Sequence, residues 1–151
     1  MFAAPMHEIR IQQRFDAPPE RVFAAVTDHA GMSQWLDGVT VTVEKPGTPA
    51  PNGLGAVRRI SARGLAIREE VVRWEEPSAM DYRVTGGAPL RDHLGELRVT
   101  PAGAGTLLDY RIRFRVPWYF GGAVVGGLVA RQLRDEIEKG LGRLASRLRP
   151  S

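Results

Sequence analysis

Apolar and polar positions alternate with period two along most of this chain, then switch to a helical period in the last third. His7–Phe15 places Ile9, Ile11, Gln13 and Phe15 on one side and Glu8, Arg10, Gln12 and Arg14 on the other, which predicts a strand with one wet face. Asp16-Ala17-Pro18-Pro19-Glu20 follows with helix-start chemistry. Proline is tolerated in a first turn, where no intrahelical donor is needed, and acids suit the positive end of the helix dipole. Val22, Phe23 and Val26 form the apolar stripe of a short helix, and Met32, Trp35 and Leu36 that of a second. Val39, Val41 and Val43 alternate with threonine until Lys45-Pro46-Gly47, and residues 46–53 read as a loop. Five more strands are predicted at 56–63, 65–75, 80–85, 90–100 and 106–116. Connections this short imply an antiparallel meander, because parallel crossovers need a dozen or more residues.

From residue 122 to 149 the period changes. Val125, Val129, Leu133, Ile137, Leu141, Leu144 and Leu148 recur every three or four positions, with charges on much of the remaining circumference. The pattern predicts one amphipathic helix roughly 35–40 Å long. Only this helix is long enough to cover the apolar face of a seven-stranded sheet, so the expected class is α+β, with the sheet curled around the helix. Its first turns carry Gly121, Gly122, Gly126 and Gly127. Each glycine weakens a helix by up to ~1 kcal/mol relative to alanine. A ligand cavity beneath the helix, or a close helix–sheet approach, would offset that cost.

Phe15-Asp16-Ala17-Pro18-Pro19-Glu20-Arg21-Val22-Phe23, with Thr27-Asp28 and Trp35-Leu36, resembles the opening of the SRPBCC (START-like) superfamily, in its polyketide cyclase/dehydrase-like branch. Glu69-Glu70-Val71-Val72-Arg73-Trp74-Glu75-Glu76-Pro77, Met80-Asp81-Tyr82-Arg83-Val84 and Gly95-Glu96-Leu97-Arg98-Val99-Thr100-Pro101 continue the pattern. The resemblance implies a helix-grip fold: a seven-stranded curved antiparallel sheet wrapped around a long C-terminal helix, with two short helices between strands 1 and 2. It also implies a deep apolar cavity. Members include polyketide cyclases, lipid and quinone carriers, hormone receptors and co-chaperones. The family has no shared catalytic motif, so no residue here inherits a catalytic role.

Composition narrows the classes further. At 151 residues the chain reads as a single domain over 1–151, with its core at about 7–149. The absence of cysteine excludes disulfides and thiolate chemistry and leans toward a reducing compartment. The formal charge is +4, yet acidic residues are interspersed with the arginines and no aromatics interleave for base stacking, so no nucleic-acid partner is expected. His7, His29 and His93 fall on different elements without ligand spacing, so neither a metal nor another cofactor is expected. The N-terminus, from Met1 to Glu8, lacks a basic leader and apolar stretch, and residues 116–130 are too short and glycine-broken to span a bilayer. A cytoplasmic protein with no integral membrane association is the expectation, and a homodimer stays open.

Parity nominates the cavity wall. Leu108, Tyr110, Ile112, Phe114 and Val116 oppose a face of Arg111, Arg113 and Arg115 that must be wet, so Tyr110 and Phe114 point inward. The same reasoning sends Tyr82 and His93 inward. Strand 65–75 is ambiguous. Placing Val72 and Trp74 inside brings Glu70, and with it Arg68, toward the cavity, and a one-residue bulge would reverse the choice. His93 and Glu70 are the acid–base candidates, each with a structural alternative: a strand-end histidine, and an ion-paired carboxylate. The ligand-binding candidates are Trp35, Val72, Trp74, Tyr82, His93, Tyr110, Phe114, Trp118, Val125 and Val129. The leading functional reading is binding of a small hydrophobic or aromatic molecule, such as a lipid, quinone or polyketide. A cyclase/dehydratase-like enzyme and a co-chaperone-type interaction module are the alternatives.

Overall fold

The computed structural model describes residues 4–150; residues 1–3 of the N-terminal segment read above lie outside the described residues. The chain runs β1 (His7–Phe15), α1 (Pro19–Val26), a 3-10 turn (Ala30–Gln34), β2 (Val39–Lys45), β3 (Val57–Ala62) and β4 (Leu65–Glu75). It continues through β5 (Ala79–Gly86), β6 (Arg91–Ala102), β7 (Gly105–Arg115), a second 3-10 turn (Trp118–Phe120) and α2 (Gly122–Arg147). The sheet order is β1-β7-β6-β5-β4-β3-β2. Strands β2 to β7 are thus one continuous meander, and β1 closes beside β7 in antiparallel register.

The second short helix is a 3-10 turn rather than an α-helix. It has only five residues, and Gly31 N–H donates to the Asp28 carboxylate at 3.2 Å, tightening its start. The predicted apolar stripe still serves: Met32, Trp35 and Leu36 are all buried.

α2 has 26 residues, about 39 Å of helix. Its C-terminal half packs into the core, with Ile137, Leu141 and Leu144 in one buried cluster with Ile9, Ile11, Phe15, Leu108 and Ile112 of the sheet and Val22, Phe23 and Val26 of α1. Gly140 permits this contact, since a Cβ there would lie 2.5 Å from the Trp35 carbonyl oxygen. At the other end, a Cβ on Gly126 would overlap the His7 ring of β1, whereas Gly127 faces open space. Close approach therefore accounts for Gly126, and the glycine-rich start does not line a cavity. Gly121 sits at φ +100, the left-handed turn that leads the chain from the Trp118–Phe120 turn into the helix.

The convex face carries the arginines as expected. Arg111 pairs with Glu8 at 3.3 Å, Arg113 with Glu96 at 3.6 Å and Arg115 with Asp92 at 3.1 Å, while Arg98 holds Asp81 at 2.5 Å. The pairs of Arg111, Arg113 and Arg115 are part-exposed and worth about 0–1 kcal/mol each, so this face is neutralised more than stabilised, while Asp81 of the fourth pair is buried.

β4 breaks the alternation expected of it, and Val72 and Glu70 do not face inward. Val71 pairs with Tyr82 and Arg73 with Asp81, which leaves Val72 as an extra residue on β4. This bulge reverses the parity partway along the strand. Glu69 and Val71 are buried on the inner side before it, and Trp74 returns inward after it. Val72 is 40% exposed, Glu70 lies on the opposite side from Glu69, and Arg68 is exposed and paired with Glu44 at 2.6 Å.

Candidate functional site

A cavity of about 330 Å³ lies between the concave face of the sheet and the middle turns of α2. Its walls are largely apolar, with Ile60, Ile67, Val84, Ile112 and Phe114 from the sheet and Val129, Leu133 and Ile137 from the helix. Leu65, which is 72% exposed, sits at the mouth with Val129 and Leu90. Arg63 of the β3–β4 turn reaches across that mouth to Glu136 of α2 at 2.8 Å. A polar hollow of about 500 Å³ shares Arg63, Gln132 and Glu136 with the cavity and forms its outer vestibule. Although the hollow is larger, its charged lining makes it a solvated approach rather than a second apolar site.

Polar groups converge on the cavity floor. Alternation along β3 gives Arg58 and Ile60 one facing, continuing from Ala56 just before the strand, and the β3–β4 register sets Arg58 opposite Glu69. Arg58 is 2% exposed and Glu69 5%. Arg58 Nε donates to Glu69 Oε1 at 2.9 Å, and a terminal nitrogen approaches the same oxygen at 2.8 Å. Its other terminal nitrogen donates to His29 Nδ1 at 2.9 Å and to Met32 Sδ at 3.2 Å. The guanidinium carbon stands 4.5 Å from the centre of the Tyr82 ring, a cation–π contact. Room for that ring comes from Gly95, where any Cβ would overlap it.

These contacts define protonation. His29 Nε2 lies 3.0 Å from the Asn52 carbonyl oxygen, which can only accept, so Nε2 carries the proton and Nδ1 receives the Arg58 donor. Burial, and then the Arg58 charge, lower the His29 pKa to about 3, so the ring is neutral near pH 7. His93 Nδ1 accepts the Val84 N–H at 3.0 Å, which likewise leaves its proton on Nε2. Burial, with Arg58 again adding, lowers His93 to about 4. Burial pushes the Glu69 carboxyl up while Arg58 opposes it. Burial is the largest influence on Arg58 and works against its charge, but Glu69, Tyr82 and Tyr110 together outweigh it and hold the guanidinium above its ordinary range. Tyr110 is pushed up to about 12 by burial, and Tyr82 well above its ordinary value by burial and the neighbouring Tyr110.

The Tyr82 and Tyr110 hydroxyls hydrogen-bond each other. Two hydroxyls own two protons, and their mutual bond uses one. The second proton, like His93 Nε2–H, has no acceptor among the described residues. The floor is therefore an internally paired charge couple beside two unspent donors.

Of the residues nominated from the sequence, Tyr82, His93, Tyr110, Phe114 and Val129 meet in this cavity. Trp35 is buried beneath Gly140, and Trp74 is half-buried with its ring 5.0 Å from Phe23. Trp118 is 68% exposed outside the cavity, and Val125, Val72 and Glu70 do not line it. Arg58, Glu69 and His29 were not anticipated. Arg58 was accessible to the parity argument, since it alternates with Ala56 and Ile60. Glu69 was hidden by the β4 bulge, and His29 by its place in a loop without periodicity.

A family model described as polyketide cyclase / dehydrase and lipid transport matches residues 6–149. No curated protein matches the chain. Among solved structures, the protein TTHA0849 from Thermus thermophilus superposes with a TM-score of 0.75 at 23% identity, covering 94% of this chain and 97% of that one. A START superfamily protein from Mycobacterium smegmatis gives 0.74 at 17% identity, over 94% and 97% of the two chains. At these identities the structural likeness speaks for the fold alone, and that fold is the START-like helix grip.

Proposed function

Because the chain belongs to the polyketide cyclase / dehydrase and lipid transport family, we propose that it binds a small hydrophobic or aromatic molecule between the sheet and α2. The observation that carries this reading is the apolar cavity of about 330 Å³ with a few convergent polar groups on its floor. Ligand sites commonly span ~300–1,000 Å³, so the volume suits a compact ring system better than a long acyl chain. The mouth supports the same reading: Leu65, Leu90 and Val129 make its rim apolar, and the exposed Arg63–Glu136 pair across it is weak enough to open.

The test is a thermal-shift and native mass-spectrometry screen with quinones, polyketide-like aromatics and fatty acids. Saturable stabilisation by compact aromatics is expected, and Leu133→Trp, which fills the cavity from the helix side, should abolish it while the variant still unfolds cooperatively. Retained binding in Leu133→Trp would place the ligand elsewhere and overturn the proposal.

An acid–base reading of the same cavity draws support from the unspent Nε2–H of His93 and the buried Glu69 carboxyl. Glu69 here takes the place of Glu70, which faces away from the cavity. Substitution of His93 by Gln discriminates between the two readings, because an enzyme loses turnover of a bound substrate whereas a carrier has none to lose.

A further inference from the structure

The charge balance of the cavity floor bears on which ligands can enter, on the premise that the cavity is the binding site. Three of the five guanidinium N–H groups of Arg58 donate, to Glu69, His29 and Met32, its second terminal nitrogen stands 2.8 Å from Glu69, and its face is covered by Tyr82. Its positive charge is cancelled by Glu69 at 2.8 Å. The neutral donors that the floor offers an incoming molecule are the unspent hydroxyl proton of the Tyr82–Tyr110 couple and the Nε2–H of His93.

We propose that the cavity selects a neutral ligand bearing an acceptor oxygen, such as a ketone, quinone or ester carbonyl on an aromatic frame, and rejects the carboxylate of the same frame. A carbonyl oxygen satisfies the donors without adding charge. A carboxylate would meet the same donors but would bring a second buried negative charge beside Glu69, with the one cation already committed. Ammonium ligands fail for the mirror reason, because the Glu69 charge is already balanced by Arg58 and a further cation would be buried without a counter-charge.

The experiment is isothermal titration of the full chain with three probes of one shape: naphthalene, acetylnaphthalene and naphthoate. Near neutral pH, acetylnaphthalene is expected to bind at least about tenfold tighter than naphthoate. If only the uncharged acid enters, naphthoate binding should tighten about tenfold for each unit of pH fall between pH 7 and 5, as the competent fraction rises. Glu69→Gln removes the balancing charge and should reverse the preference, so that naphthoate exceeds acetylnaphthalene. Naphthoate binding as tightly as the ketone to the unaltered protein would overturn the selectivity while leaving the cavity as a site. No saturable binding by any of the three, naphthalene included, would remove the cavity reading itself and this inference with it. Should Glu69→Gln not fold, the pH series on the unaltered protein decides, and a pH-independent naphthoate affinity refutes the proposal.

Discussion

Arg58 and Glu69 are each too buried to be hydrated, and each is tolerable only because the other is there. Arg58→Met should leave the Glu69 carboxylate unpaired and destabilise the fold by about 3–5 kcal/mol, read by urea denaturation. Arg58→Met combined with Glu69→Leu should recover much of that loss, because the cavity floor then holds no orphan charge. Additive losses in the double variant would contradict the pairing. His29 makes a separate, pH-dependent contribution. Its folded pKa of about 3 lies below an unfolded value near 6.5, so the unfolded chain binds the extra proton between those limits. Stability attributable to His29 is complete above pH 6.5 and is lost as pH falls toward 3, by up to ~1.4 kcal/mol per pH unit. Comparing the pH dependence of unfolding in the unaltered protein and in His29→Gln should show a shallower acid slope in the variant. Equal slopes would mean that His29 is not held neutral by its surroundings.

Within elements, period and parity were informative wherever one face was forced to be wet. β7 is the clearest case: three arginines on one side left Tyr110, Ile112 and Phe114 no alternative to the interior, and all are buried. α2 was equally plain, beginning at Gly122 as expected and ending two residues early at Arg147. β4 was not legible, because its bulge at Val72 depends on how β5 pairs beside it and leaves no local mark. The glycines of α2 divide by what a methyl group would meet. Gly142 has nothing within 4 Å, so Gly142→Ala should raise stability by up to about 1 kcal/mol through helix propensity. Gly140→Ala would press on the Trp35 backbone and should lower the melting temperature despite the same propensity gain. Thermal melts of the two variants check this, and a stabilised Gly140→Ala would mean that α2 does not sit this close to Trp35.

For the molecule as a whole, the architecture followed from element order. A meander with one apolar face needs a single long cover, and only α2 can provide it. The cavity's position did not follow from the sequence. The missing side-chain volume at the helix start suggested a hollow there, but Gly126 closes onto His7, and the open space lies farther along, beneath Val129, Leu133 and Ile137. Its polar floor depends on Arg58 meeting Glu69 across two strands, a pairing that single-strand patterns do not show. The central claim is that this space admits a ligand. A two-dimensional NMR titration with acetylnaphthalene tests it most directly. Saturable shifts should centre on Tyr82, His93, Tyr110, Val129 and Leu133. Shifts confined to the exposed Trp118–Phe120 turn, or no saturable shifts at all, would contradict it.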